Sequence, residues 1–460
     1  MLSNKILIPV FFVICLVFNS VFSDLTFNYK IILSLVFTVI FLNYSNILYL
    51  FLLFCYFFRN SYGGSFWGLD LDLDSNYYGM TNISDICFLS IFSIVIIRVV
   101  FLKDIKFIKI SFGDLIIKCL FLFFTTQVLG VFFSENLNIS VEQMLRLVQF
   151  FIWFLISYIY IGELGIKKIM YFLCGLGILS GSFYIFNKII LAGYYSDDGN
   201  IIYLLPFIFN IFQINKNHSL GIFSFIYGLV TSFAITLTDS RRFVISIGIY
   251  LNNIFYRTAH SRSFYFFISA VFIFFMFALS AIISDSSDLR IFQTFNIIKG
   301  IFIFGTDDMY STDMYNMFTK RDVLLAIGFQ TFLSSPIFGI GTGMSRWEAG
   351  QLFYGDFYGQ TFRLHNLYLE IAADTGLIGI LAYLFLMFII MRSLLRIAKL
   401  SLISIEERIM SWILIDIYFA SMLINFFGAR GPYDKYEWFF YSIVYFLSKK
   451  HLRSDTSLKN

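Results

Sequence analysis

The sequence predicts an all-α, polytopic bundle of transmembrane helices. The chain has 460 residues, of which 59% are hydrophobic and only 13% are charged. A soluble domain usually carries about 25% charged residues, so water is not the main solvent of this chain. Apolar runs recur along nearly its whole length, and about 18 apolar residues are enough for a helix to cross the hydrocarbon core. Helices are favoured because each one satisfies its own backbone hydrogen bonds in lipid.

The apolar runs give the order of the candidate spans. Residues Met1 to Ser23 resemble a signal peptide, which we interpret as an uncleaved first span because further spans follow it. Several runs are short and could be tilted, re-entrant or halves of one helix, so we expect about 12 to 14 spans. The candidates lie at approximately 5–22, 29–43, 45–58, 82–101, 112–133, 145–161, 168–191, 200–213, 219–238, 241–256, 262–284, 371–395, 408–427 and 436–448.

Basic and acidic residues predict the orientation of these spans. Cytoplasmic loops are enriched in Lys and Arg. With the N-terminus inside, alternation places Lys103, Lys106 and Lys109 inside and the acidic segment 70–74 outside. Both termini are then cytoplasmic. The pattern also requires two spans within 29–58, since a single span there would invert everything downstream.

One membrane domain, 1–460, is expected, with one large outside loop at 285–366. Within the loop, Thr319-Lys320-Arg321-Asp322 resembles a capping box that opens a short helix, and Pro336 ends that helix. The glycines of 339–343 predict a tight turn. A further helix is expected to begin near 363–366 and to run into the next span.

Several classes of site are disfavoured. The net charge of +4 gives no case for nucleic-acid binding. None of the five cysteines forms a CxxC pair, so neither a zinc site nor a disulfide framework is indicated. Asp70, Asp72 and Asp74 alternate as in a calcium loop, but the glycine and glutamate of an EF-hand are missing. We interpret this segment as a solvated acidic loop and predict no metal site.

His365 is the candidate for chemistry among the four histidines. The other three fall in predicted basic, cytoplasmic surroundings. His365 is predicted at the outside water–membrane boundary, where a helix begins. Asn366, Glu370 and Asp374 follow at intervals of four residues and therefore share a helix face. The alternative interpretation is that His365 and this polar face belong to an ordinary helix start at the membrane interface, without a chemical role.

Three arginines are further candidates. Arg241 and Arg242 are predicted near the outside end of a span, where a charge usually faces a cavity or a partner. The alternative is that they extend to the interface. Arg321 lies at the start of the loop helix. The alternative interpretation is that it is a solvated loop arginine without a functional role.

Four motifs resemble those of the O-antigen ligase and polymerase superfamily of bacterial membrane proteins. Asp239-Ser240-Arg241-Arg242 resembles its "S-R" element. The helix after Arg321 leads to Pro336-Ile337-Phe338-Gly339-Ile340-Gly341, which is similar to "P-x-x-G-x-G". The stretch His365-Asn366-Leu367-Tyr368-Leu369 is similar to "HNxxL". The stretch Asp374-Thr375-Gly376-Leu377-Ile378-Gly379 is similar to "E-T-G-L-x-G", with Asp replacing the usual Glu.

This resemblance implies glycosyl transfer from an undecaprenyl-pyrophosphate-linked glycan at the periplasmic face of the bacterial inner membrane. It implies no cofactor, no nucleotide sugar and no essential metal. Its catalytic residues correspond to His365, Arg321 and Arg241. Arginine binds diphosphate oxygens bidentately and can stabilise charge on a departing pyrophosphate, and a histidine can take a proton from an acceptor hydroxyl. The expected substrate-binding residues are Arg242, Asn366, Asp374 and Arg363.

Three functions stay open. The first is polymerisation of lipid-linked repeat units into O-antigen or a related polysaccharide, favoured because 62 Phe and 29 Tyr in an isoleucine-rich chain resemble the variable polymerases. The second is ligation of finished polymer to lipid A-core. The third is a lipid-linked glycan flippase, although no internal repeat is evident. Expected partners are the lipid-linked glycan, the bilayer, and also a chain-length regulator and a flippase, but no nucleic acid.

Overall fold

The protein is helical throughout the part of the chain that the computed structural model describes, which confirms the all-α prediction. That part comprises residues 27–57, 83–102, 113–189, 199–214, 219–236, 241–258, 320–354, 363–426 and 431–451. The α-helices are α1 Phe27–Phe41, α2 Ser45–Phe57, α3 Ile83–Val100, α4 Leu115–Phe132, α5 Leu137–Leu164, α6 Ile166–Ile189, α7 Gly199–Ile214, α8 Ser219–Thr236, α9 Arg241–Thr258, α10 Lys320–Ser334, α11 Met344–Tyr354, α12 Leu367–Ala398, α13 Ile405–Ile424 and α14 Lys435–His451. Two short 3₁₀ turns lie at Leu42–Tyr44 and Gly431–Tyr433.

Among these residues, five helical segments are long and apolar enough to cross a membrane. They are Ile32–Phe57, Leu115–Phe132, Leu137–Leu164, Ile166–Phe186 and Leu367–Ala398. Four shorter apolar helices lie within α3, α7, α8 and α10. The chain is therefore a multi-pass membrane protein. The predicted spans 5–22 and 262–284 lie outside the described residues, so the total of about 12 to 14 spans stays a prediction.

The segment from α1 to α2 corrects one expectation. The sequence analysis divides 29–58 into two spans, but Ile32–Phe57 forms one candidate span of 26 residues. The two helices are joined end to end by the 3₁₀ turn at Leu42–Tyr44, and both pack against α3. No glycine or proline interrupts this segment, and the polar Asn43, Tyr44 and Ser45 tighten the helix for one turn without reversing it.

Helix α12 lies at the centre of the bundle. It packs against α4, α10, α13 and α14, and α14 in turn packs along α5. Large aromatic side chains fill the contact between α5 and its neighbours. The Trp153 ring lies 5.6 Å from the Tyr49 ring and 4.8 Å from the Tyr56 ring. Lipid tails are as apolar as these side chains, so close packing stabilises the helix contacts.

The bundle has two chemically distinct ends. At the first, residues 133–136, 335–343, 363–367, 425–426 and 431–433 come together, and this is called the site end. At the opposite end, ion pairs join the helix termini: Arg98–Glu163, Lys167–Glu406 and Lys450–Glu407. From α3 onward, the described loops that the charge pattern predicts to be periplasmic lie at the site end, and those that it predicts to be cytoplasmic lie at the opposite end. Which end faces the cytoplasm stays a prediction.

Candidate functional site

Helix α12 is broken at Gly376, on the site end. Gly376 has φ 67° and ψ −165°, a conformation that side chains disfavour. A Cβ atom at this position would lie 2.1 Å from the carbonyl oxygen of Ile337. Only glycine therefore allows the segment after α10 to approach the α12 backbone this closely.

The break frees backbone groups of α12, and the segment 336–341 pairs with them. The Ile340 N–H donates to the Ala373 carbonyl at 2.9 Å, and the Leu377 N–H donates to the Pro336 carbonyl at 2.8 Å. The Gly341 N–H likewise donates to the Asp374 carbonyl at 3.0 Å. The motifs Pro-x-x-Gly-x-Gly and Asp-Thr-Gly are therefore the two halves of one backbone contact. We call residues 336–341 the strap.

Asp374 connects this contact to α11. Its carboxylate accepts hydrogen bonds from the N–H groups of Gly343 and Ser345, each at 2.9 Å. The carboxylate lies within the protein at the N-terminus of α11, where a negative group is favoured. These contacts give Asp374 a structural part in the site, and its contact with substrate stays a prediction.

An ion pair that the sequence analysis missed lies beside Asp374. Arg346 of α11 donates from Nε to Glu370 Oε1 of α12 at 2.5 Å, and the two side chains are 3% and 0% exposed. The guanidinium also lies over the Tyr433 ring at 5.1 Å. The sequence analysis assigns no element to residues 344–354, and only the shared face of Glu370 and Asp374 pointed to this cluster.

His365 occupies an unusual backbone conformation at the start of α12. Its φ is 54°. In the described part of the chain, every other residue with positive φ is a glycine. The next residue, Asn366, caps α12 by accepting a hydrogen bond from the Leu369 N–H at 3.0 Å. The Leu367 N–H donates to the Asn425 carbonyl at 2.9 Å, which fixes the helix start against α13. Strained residues of this kind concentrate at functional sites.

Helix α10 brings Arg321 to the level of His365. Leu324 and Leu364 belong to one buried apolar cluster, and a Cβ atom on Gly328 would lie 2.6 Å from Leu364. Arg321 is about one helical turn before Leu324. The first turn of α10 therefore lies beside the residues 363–365, which include Arg363.

Helix α9 brings Arg241 and Arg242 to the same end. Asn253 donates to Asp416 at 2.8 Å, and Arg257, one turn later, pairs with Asp416 and lies over the Trp412 ring at 5.4 Å. Helix α9 therefore runs antiparallel to α13. Since α13 ends at Ile424 on the site end, α9 begins there.

The predicted site residues thus lie at or just before the N-termini of three helices, and all three N-termini are at the site end. Helix α9 begins at Arg241, α10 begins at Lys320, and α12 begins just after His365. Each N-terminus presents backbone N–H groups and a partial positive charge. A helix N-terminus with arginines in its first turn favours the binding of a phosphate or diphosphate. Within the described ranges, no group of three or more His, Cys, Asp or Glu is placed to hold a metal ion.

The family comparison agrees with this geometry. Residues 226–384 match a family model described as O-antigen ligase. The matched segment includes Arg241, Arg321, His365 and Asp374, and it confirms the resemblance that the motifs predicted. No curated protein matches the chain. The match covers residues 226–384 of the 460-residue chain, and over this segment the membrane protein is similar to O-antigen ligases.

Proposed function

We propose that the protein polymerises undecaprenyl-pyrophosphate-linked repeat units into O-antigen or a related surface polysaccharide at the periplasmic face of the inner membrane. The observation that carries this proposal is that the N-termini of α9, α10 and α12 all lie at one end of a membrane bundle. Arg241 begins α9, Arg321 is the second residue of α10, and His365 lies two residues before α12. A lipid-linked diphosphate lies at the membrane surface, at the depth where these helices start.

The arginines would bind the diphosphate of the donor. An arginine offers two parallel N–H donors to phosphate oxygens, which gives both affinity and orientation. Arg241 and Arg321 belong to different helices and would bind the diphosphate oxygens from two sides. Arg242 and Arg363 would add further N–H donors nearby. Charge that grows on the leaving diphosphate would be stabilised by these groups and by the helix N-termini.

His365 would act on the acceptor sugar. The acceptor hydroxyl oxygen attacks the anomeric carbon of the donor sugar and forms the new glycosidic bond. The bond from that carbon to the diphosphate oxygen breaks, and the undecaprenyl diphosphate leaves with the electron pair. The hydroxyl proton goes to His365. Attack opposite the leaving group inverts the anomeric centre.

Ligation to lipid A-core uses the same donor and the same bond changes, and differs only in the acceptor. The description of the matching family names the ligase, so ligation is the second candidate. A chain-length regulator and a flippase are proposed as cellular partners of the polymerase.

The test combines a gene deletion with reconstitution. Loss of a polymerase leaves single repeat units on lipid A-core, whereas loss of a ligase leaves bare core and accumulating lipid-linked polymer. In liposomes that hold lipid-linked repeat units on one face, a polymerase lengthens the glycan without moving it across the bilayer. Transport without lengthening would identify a flippase and contradict the proposal.

A further inference from the structure

A groove lies on α12 at the opposite end of the bundle, far from His365. Its volume is about 280 Å³. It follows the last turns of the helix and combines apolar and basic side chains. The lining residues are Phe388, Met391, Arg392, Leu395, Arg396 and Lys399.

The three cations of the groove lie on one face of α12. Arg392, Arg396 and Lys399 are separated by four and then three residues, so their side chains follow one another along the helix. They cover about 10 Å of the helix axis. Within the described part of the chain, their exposed side chains form no ion pair and no hydrogen bond with other residues.

Other cations at the opposite end are used inside the protein. Lys450 pairs with Glu407 at 2.7 Å, and Arg98 pairs with Glu163 at 2.6 Å. The groove cations instead form a concentrated positive charge that the described protein does not neutralise. A negatively charged group from outside the chain would complement it.

An apolar stripe continues from the groove toward the middle of α12. Leu381, Phe385 and Phe388 are each about half exposed and recur at intervals of four and three residues. The stripe lies on a helix that is long and apolar enough to cross a membrane, and an exposed apolar face on such a helix suits contact with hydrocarbon. Charge at one end and an apolar track leading away from it match an amphiphile with an anionic head.

We propose that this groove binds an anionic glycerophospholipid of the surrounding leaflet. Arg392, Arg396 and Lys399 hold the phosphate-containing headgroup, since guanidinium groups bind phosphate oxygens in pairs. An acyl chain lies along Leu381 to Phe388. A single lipid satisfies both the charge and the apolar stripe, and basic pockets at helix ends are typical sites for such headgroups.

The test uses the purified full-length protein in a neutral detergent. Phosphatidylglycerol and phosphatidylcholine with identical acyl chains are titrated in turn, and binding is followed by native mass spectrometry and by the rise in melting temperature. We expect phosphatidylglycerol to bind at least about ten-fold more tightly. The variant Arg392→Gln/Arg396→Gln should lose this preference.

A matched variant separates a site from general surface charge. Lys118→Gln/Lys168→Gln removes two exposed cations of the same end that do not line the groove. It should keep the preference for phosphatidylglycerol. Equal loss in both double variants, equal binding of both lipids, or a dimer that the Arg392→Gln/Arg396→Gln variant dissociates would each overturn the proposal.

Discussion

Arg346 and Glu370 join two helices through an ion pair that is almost completely buried, with a distance of 2.5 Å between Nε and Oε1. The pair holds α11 against the first turn of α12, directly below His365. Removing one partner from such a pair leaves a buried charge without compensation. The pair therefore helps to fix the position of α11 against α12.

Arg346→Gln should destabilise the protein by about 3–5 kcal/mol, because it leaves the Glu370 carboxylate buried without its partner. The measurement is thermal unfolding of the purified protein in detergent. The matched control is Lys167→Gln, since Lys167 pairs with Glu406 and its side chain is 64% exposed. Such a pair contributes under about 1 kcal/mol. The double variant Arg346→Met/Glu370→Met should recover most of the lost stability. Equal effects of Arg346→Gln and Lys167→Gln would contradict the importance of burial.

Gly376→Ala should disrupt the contact between the strap and α12. A Cβ atom there meets backbone atoms of Ile337 and Phe338 at 2.1 to 2.5 Å, and the φ of 67° is unfavourable for alanine. We expect a loss of about 3 kcal/mol or more, seen as a lower melting temperature. Gly175→Ala is the control, because a Cβ atom on this helical glycine meets nothing within 4 Å. That change should stabilise by up to about 1 kcal/mol. An unchanged melting temperature for Gly376→Ala would contradict the close backbone contact between the strap and α12.

The helix boundaries were largely predictable because apolar length decides them. The expected spans 168–191 and 371–395 correspond to α6 and α12 within a few residues. The division of 29–58 failed because it was based on the charge alternation with a cytoplasmic N-terminus. In the structure, the two apolar helices join through a 3₁₀ turn and pack on the same neighbour, α3.

The inner structure of the site was not predictable to the same degree. Asn366 was expected at the helix start and does cap it. Helix α11 has a mixed sequence without a clear period, and its N-terminus is held by Asp374, about 30 residues later in the chain. The pairing of Arg346 with Glu370 likewise depends on the fold, since no local pattern links α11 to α12. The sequence analysis included Gly376 in the motif Asp374 to Gly379, but the pattern of apolar residues gave no sign that the helix breaks there.

Glu407 should make stability depend on pH. Burial by itself raises the pKa of Glu407, but Lys450 at 2.7 Å, His451 at 3.1 Å and Ser404 outweigh this and lower the pKa below its ordinary value. Since the pKa is lower in the folded protein, the carboxylate stabilises above the unfolded value of about 4.3. This contribution disappears as the pH falls through the folded pKa.

The measurement compares melting temperatures of the wild type and Glu407→Gln from pH 8 to pH 3. The difference should be largest near neutrality and should shrink below about pH 4. Glu142→Gln, which changes a half-exposed carboxylate, should differ little from the wild type at any pH. A difference for Glu407→Gln that stays constant down to pH 3 would contradict the linkage.

The orientation of the bundle can be tested with single cysteines. Glu135 lies exposed in the turn between α4 and α5 at the site end, and Leu402 is 96% exposed at the opposite end. In intact spheroplasts, an impermeant maleimide should label Glu135→Cys, whereas Leu402→Cys should react only after lysis. The chain without an added cysteine is the control, since Cys55, Cys87, Cys119 and Cys174 are buried. The reverse pattern would place His365 in the cytoplasm and remove the proposed function.

A pair of reporter fusions decides the N-terminal topology. If Ile32–Phe57 crosses once, the charge pattern downstream requires its first residue to be cytoplasmic. A cytoplasmic N-terminus and a crossing span at 5–22 cannot then both hold. A reporter fused before residue 5 and another fused at residue 24 would distinguish the two arrangements.

His365 provides the sharpest test of the proposed chemistry. His365→Asn should lower polymer formation by about 10²–10⁴-fold, since that is the usual contribution of a general base. Asparagine tolerates positive φ better than most residues, so this variant keeps the backbone at 54°. Asn136→Ala is the matched control, because it removes the cap of α5 at the same end of the bundle and should cost about 1 kcal/mol of stability. Its effect should appear as less protein in the membrane, with turnover per molecule retained. Polymer formed per inserted molecule is the quantity to measure, and wild-type turnover in His365→Asn would remove His365 from the mechanism and leave the arginines as the remaining candidates.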